Sequence, residues 1–254
     1  MNTRKRAIAF VICLFLLLAL GIVYIFSELY TESEIPEVVV TDGMLFKEEY
    51  EAINNNENED GSIVRELDIP EDNPFVYKDA TELVESIDND ETFVVYFGYA
   101  SCPWCRSIIT PLIEAAQKND IDTIYYVDVQ NIRDRYELND DNEAVRTVEG
   151  SEAYYELLDR LDSVLEPYSP LVYTTKSGKL KNVEIDEKRI YAPSVVVVKN
   201  GEAMDLKTGI SELQTDAYMK LTDEMIEESK GEFTELFDLL NDESQDYICE
   251  DQKC

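Results

Sequence analysis

Apolar residues fall into three kinds of run along this chain. One is long and unbroken, from Ala7 to Phe26, with no charged residue inside it. Several are short and continuous: "FVY" at Phe75, "TFVVYFG" from Thr92 to Gly98, "TIYYVDV" from Thr123 to Val129, and Ser194 to Val198. Rich in β-branched and aromatic residues, these predict strands, the longer ones buried on both faces. The third kind recurs at helical spacing. It comprises Leu83, Val84 and Ile87 within Ala80 to Asp88, and Ile108, Ile109, Leu112, Ile113 and Ala116, with Pro111 a kink inside the pattern. Tyr154, Leu157, Leu158, Leu161 and Leu165 follow a Ser151 cap, and Tyr218, Leu221, Met225, Phe233, Leu236, Phe237 and Leu240 close the pattern.

Strand, helix and strand from Thr92 to Val129 make a βαβ unit. Asn200-Gly201 is a hairpin turn between the strand at Ser194 and another ending near Leu206. Between Gln130 and Ile190 the alternation breaks, and a helix plus a hairpin, "LVYTT" and "LKNVEI" around Ser177-Gly178, read as an insertion. The expected divisions are 1–30 as a basic flank and transmembrane signal-anchor, 31–74 as an acidic spacer, 75–241 as an α/β domain with an insertion at about 130–190, and 242–254 as a cysteine-containing tail. Within the spacer, "IPEVVVTDG" and "SIVREL" are strand candidates around a polar, mobile "NNNENEDG".

The 20 uncharged residues at 7–26 would span roughly 30 Å as a helix, the hydrocarbon thickness of a bilayer. Arg4, Lys5 and Arg6 precede them, so the N-terminus is expected in the cytoplasm and the body outside, with the bilayer as a partner through residues 7–26. Cleavage at Ala19-Leu20-Gly21 is the alternative, but it would leave "IVYIF" exposed at the new terminus, so the uncleaved anchor is preferred.

Charge and composition then narrow the chemistry. The formal charge of -33 argues against binding nucleic acid through its phosphates. No histidine occurs in the chain, which removes Ser-His and Cys-His catalysis and His-ligated zinc. Of five cysteines, Cys13 lies in the apolar run, leaving Cys102, Cys105, Cys249 and Cys254 outside it, an even number suited to two local pairs in an oxidising compartment.

"SCPWCRS" puts Cys102 where a strand gives way to a helix, with Pro103 near the first helical position. There a thiolate meets unpaired backbone N–H groups and the positive end of the helix dipole, and Arg106 is a candidate cation beside it. Cys102 would exchange with a partner disulfide or thiol and Cys105 would resolve the mixed disulfide, with Trp104 shielding the pair and offering an aromatic contact. A structural staple, or a zinc site shared with Cys249 and Cys254, are the other readings of such a pair. For Cys249 and Cys254 a small structural disulfide and an electron-shuttling pair both remain open. No cofactor or metal is expected.

"FVVYFGYASCPWC" and "APSVVVVKNGE" followed by "TG" resemble the thioredoxin superfamily in order and spacing, over about residues 75–129 and 190–240. More narrowly, "FGYASCPWCRSIITPLIEAA" is similar to the thioredoxin-like bacteriocin-transport accessory proteins of Gram-positive bacteria. The resemblance implies an α/β, thioredoxin-like fold: a central mixed sheet flanked by helices, here with a helical and hairpin insertion and preceded by an N-terminal transmembrane helix. It makes Cys102 the nucleophile, Cys105 the resolving thiol and Pro193 a cis residue facing them, with the Ala192 backbone pairing to an extended substrate. Two positions depart from the family. Tyr96 stands where thioredoxins carry a buried carboxylate, so the proton of Cys105 must use water or another group, and Ala192 replaces a common hydroxyl residue. The function expected is a membrane-anchored, extracytoplasmic thiol-disulfide oxidoreductase. Its partners would be thiols or disulfides of exported proteins or peptides, and a membrane redox partner. The alternative is a thioredoxin-fold binding or secretion accessory module whose cysteines do not turn over.

Overall fold

The two longest strand-like runs become the centre of the sheet in the computed structural model, which describes residues 3–29 and 39–241. The chain divides into two units, Met1–Val40 and Thr41–Cys254. The first holds helix α1 (Thr3–Leu29), with side chains exposed from Phe10 to Phe26. Among the described residues no helix is long and apolar enough to cross a membrane, and part of the span expected over 7–26 lies outside the described side chains.

In the second unit, α2 (Asp42–Glu51), β1 (Phe75–Tyr77), α3 (Ala80–Asp88), β2 (Phe93–Gly98), α4 (Pro103–Lys118) and β3 (Ile124–Asp128) come first. The antiparallel hairpin β4 (Arg135–Leu138) and β5 (Ala144–Val148) follows, then α5 (Glu152–Arg160) and a 3-10 turn at Asp162–Val164. Next are β6 (Glu166–Pro167), β7 (Leu171–Thr174), β8 (Leu180–Val183) and β9 (Lys188–Arg189). Last come β10 (Ser194–Lys199), β11 (Glu202–Lys207) and α6 (Asp223–Asn241).

Five strands form one sheet in the order β1-β3-β2-β10-β11. β1, β3 and β2 run parallel, while β10 is antiparallel to β2 and β11 antiparallel to β10. This mixed sheet flanked by helices fits the thioredoxin-like fold that the sequence resembles. β2 is buried throughout, with Val94 and Tyr96 facing one core and Phe93, Val95 and Phe97 the other. Such two-sided burial requires the unbroken apolar run. Helices α2, α4 and α6 cover the Tyr96 face, and α3 and α5 cover the opposite one. The β10–β11 turn places Asn200 and Gly201 at φ 51° and 75°, the left-handed pair that a two-residue hairpin requires.

Three expectations need correction. Residues 42–74 are not a spacer. Thr41 accepts the Met44 N–H to cap α2, whose Phe46 and Tyr50, one turn apart, are fully buried against Phe75 and Tyr126. Leu67 and Ile69 join the same core. The polar stretch from Asn54 to Gly61 is a turn closed by the Glu57–Ile63 bridge, and "SIVREL" forms no strand beyond it. Secondly, the block at 130–190 is not wholly an insertion. Ser151 caps α5 as expected, and Tyr154, Leu157 and Leu161 are buried beside α3, so this helix belongs to the main helical layer. The added parts are the two arms outside the sheet, β4–β5 and the strands β6 to β9. Finally, the closing helix begins at Asp223, leaving Tyr218 and Leu221 in the turn before it.

Candidate active site

Cys102 sits immediately before α4, extended at φ -74° and ψ 116°, and caps the helix through its sulfur, which accepts the Cys105 N–H at 3.3 Å. Pro103 follows at the first helical position, where the lack of an N–H leaves no hydrogen bond unmade. On the other side, the Ala192–Pro193 peptide is cis, and the Ala192 carbonyl accepts from the Cys102 thiol at 3.5 Å. Pro193 is buried and Ala192 half-buried. The structure therefore brings Cys102, Cys105, Ala192 and Pro193 together from α4 and the start of β10. Trp104 is half-buried against the same cluster, and its backbone N–H also reaches the Cys102 sulfur.

The two thiols have opposite environments. Cys102 has its pKa lowered to about 7, chiefly by the hydrogen bond from the Cys105 thiol, opposed by burial and then helped by the Cys105 and Trp104 N–H groups and the charge of Arg133. Cys105 is fully buried, and burial, followed by the hydrogen bond and charge of Cys102, pushes its pKa well up. Near pH 7 this arrangement gives one readily ionised, nucleophilic thiol and one thiol held protonated. Both cysteines are free thiols in this structure. Cys102 is less open than the sequence leads one to expect, being only 4 % exposed, so a partner reaches its sulfur through a small aperture.

Arg106 does not act on this thiolate. The residue is 1 % exposed and its guanidinium turns away from Cys102, donating to the carbonyls of Arg65 at 2.8 Å, Tyr50 at 2.7 Å and Ala100 at 3.2 Å, and to the Asn54 side chain. The helix rotates about 100° per residue, which carries position 106 from the Cys105 side towards α2. The cation that favours the thiolate is Arg133, beyond the end of β3. Its guanidinium carbon lies 5.5 Å from the Tyr99 ring centre, and it donates to the Ile190 carbonyl at 3.4 Å. No spacing signal in the sequence marks Arg133, because the fold alone carries it to the motif. Replacing Arg133 with Met is expected to raise the Cys102 pKa. Alkylation by iodoacetamide would then slow a few-fold at pH 7 but not at pH 10, and an unchanged pH profile would rule this role out.

Cys249 and Cys254 lie outside the described residues. Tyr96, six positions before Cys102, points its hydroxyl at the Cys105 thiol. No protein-family model matches the chain, and no curated protein matches it. Among solved structures, thioredoxin O2 from Arabidopsis thaliana in its oxidised state is similar at 18% sequence identity, covering 55% of this chain and 85% of that one, with a TM-score of 0.30.

Proposed function

We propose that this chain is a thiol-disulfide oxidoreductase working through Cys102 and Cys105. The observation that carries the reading is the asymmetry of the pair: a thiol lowered to about pKa 7 at a helix cap, and a buried, protonated thiol one turn further on. In the reducing direction, the Cys102 thiolate attacks one sulfur of a partner disulfide. A Cys102–partner S–S bond forms, and the other partner sulfur leaves as a thiolate. Cys105 then loses its proton and attacks the Cys102 sulfur, forming the internal disulfide and releasing the second partner thiolate, so two electrons pass to the partner. The oxidising direction is the reverse. Ala192 and Pro193 line the approach to Cys102, and the Ala192 backbone is proposed to pair with an extended substrate segment, with Trp104 as the flanking aromatic contact.

The substrates proposed are cysteines of exported proteins or peptides. Support for this setting comes from the sequence: a basic flank followed by 20 uncharged residues would hold the acidic body on the far side of a membrane. The full chain in detergent is expected to accelerate insulin reduction by dithiothreitol. A rate no higher than that of dithiothreitol alone would overturn the reading.

A further inference from the structure

Behind Cys105 lies a run of buried phenols. The Tyr96 hydroxyl shares the core with Cys105, each influencing the other's ionisation, and lies 2.9 Å from the Tyr50 hydroxyl, in a pair where either oxygen could be the donor. The Tyr50 ring in turn meets that of Tyr126 edge-on, and the Tyr126 hydroxyl donates to a carboxylate oxygen of Glu49 at 3.0 Å. Tyr77 donates to the other oxygen of Glu49, a half-buried residue on α2 in contact with solvent.

Several features build this line. Tyr96 and Tyr126 are register partners on adjacent parallel strands, with rings stacked at 5.5 Å. Tyr50 is fully buried and meets Tyr126 edge-on at 6.0 Å. At Gly98 a Cβ would fall 2.0 Å from the Tyr96 hydroxyl, so the absent side chain is what leaves that hydroxyl its place. Arg106 holds the Tyr50 carbonyl. In an apolar core Tyr96 and Tyr50 meet their hydrogen-bonding needs in each other and Tyr126 in Glu49, and the line has one end beside a thiol and the other at solvent.

We propose that Tyr96, Tyr50 and Tyr126 form a hydroxyl relay that carries the proton of Cys105 to the Glu49 carboxylate when Cys105 resolves a mixed disulfide. The proposal rests on the oxidoreductase reading above and supplies its missing proton acceptor. With Cys102 tied up in the mixed disulfide, the Cys105 S–H turns to the Tyr96 oxygen. Tyr96 passes its own proton to Tyr50, Tyr50 to Tyr126 and Tyr126 to Glu49. Each phenol gains one proton as it gives one up, so the thiol becomes a thiolate, the carboxylate becomes an acid that exchanges with water, and no electron moves along the line. The S–S bond forms and breaks as described above. Burial raises the pKa of all three tyrosines, which keeps them as neutral carriers and disfavours a tyrosinate stop. The charged and titratable groups around the relay are Cys102 at the cap of α4 and Arg106 on it, Glu49, Asp42 and Glu51 on α2, Tyr77 on β1, Tyr99 after β2, and Asp128 at the end of β3.

The test uses the full chain with Cys13, Cys249 and Cys254 changed to Ser, treated with dithiobis(nitrobenzoate). Attack by Cys102 releases one thionitrobenzoate, and resolution by Cys105 releases the second. Tyr96→Phe and Glu49→Gln are expected to leave the first release at the parent rate and to slow the second about a hundred-fold at pH 7. The gap should close as the pH rises and hydroxide takes the proton directly. A second release at the parent rate in Glu49→Gln, or a slowing in Tyr96→Phe that is the same at every pH, would overturn the relay. Absence of the first release from the parent chain would overturn the oxidoreductase reading instead.

Discussion

Cys102→Ser is expected to abolish disulfide exchange, whereas Cys105→Ser should stop after the first step and accumulate a mixed disulfide. The serine oxygen at 102 can accept the Cys105 N–H that the sulfur now accepts, so the helix cap survives and only the nucleophile is lost. An alcohol is not ionised at neutral pH and forms no disulfide, so insulin reduction should fall to the background rate. In Cys105→Ser the Cys102 thiol still attacks, without the sulfur that would release the partner. Mass spectrometry after incubation with a disulfide peptide should find that peptide bound at position 102. Reactivity of Cys102 should also track its ionisation. With a pKa lowered to about 7, the thiolate fraction is high above that pH and falls about tenfold for each unit below it. Wild-type exchange in Cys102→Ser, or an alkylation midpoint close to the ordinary thiol value, would remove Cys102 from the chemistry.

Arg106→Met should cost stability and leave the thiol almost untouched. The guanidinium is enclosed and makes five hydrogen bonds, all to carbonyl or amide oxygens, with no carboxylate in contact. These bonds fasten α4 to the end of α2 and to the chain at Arg65. Methionine approximates the volume but donates nothing, stranding the carbonyls of Tyr50, Arg65 and Ala100 among apolar neighbours. Loss of charged donors to buried acceptors on this scale costs about 3–5 kcal/mol. Urea denaturation of the full chain would measure it. A loss below about 1 kcal/mol, or a raised Cys102 pKa at unchanged stability, would restore the role that adjacency to Cys105 suggests.

These two residues also show what the sequence discloses and what it hides. β2, β3, α4 and β10 were legible because each is buried over most or all of its length or along one full helical stripe, and burial of that kind leaves a nearly unbroken pattern. The position of Cys102 was legible because it is tied to a strand end and to a short local motif, whereas the cis Pro193 was expected only from the resemblance to the thioredoxin superfamily. Helix α2 was not, since "DGMLFKEEYE" fully buries only two large side chains and otherwise reads as polar chain. The loop from Asn54 to Gly61 then breaks the apolar pattern before Leu67 and Ile69 return to the core. The hairpin β4–β5 was not legible because both strands are short and largely exposed, and the alternation of Tyr136 and Leu138 in β4 is too brief to stand out from a loop. Arg106 and Arg133 exchanged roles for a related reason: neighbours in sequence part company on a helix, and distant residues meet only through the fold.

The full burial of Cys105 also governs how the pair meets peroxide. Only the sulfur at 102 offers a surface to such an oxidant, and a sulfenic acid formed there lies beside a thiol able to condense with it to the internal disulfide. That product is reversible, whereas sulfinic and sulfonic acids are not, so the deep thiol serves as an internal guard against permanent over-oxidation of its outer neighbour.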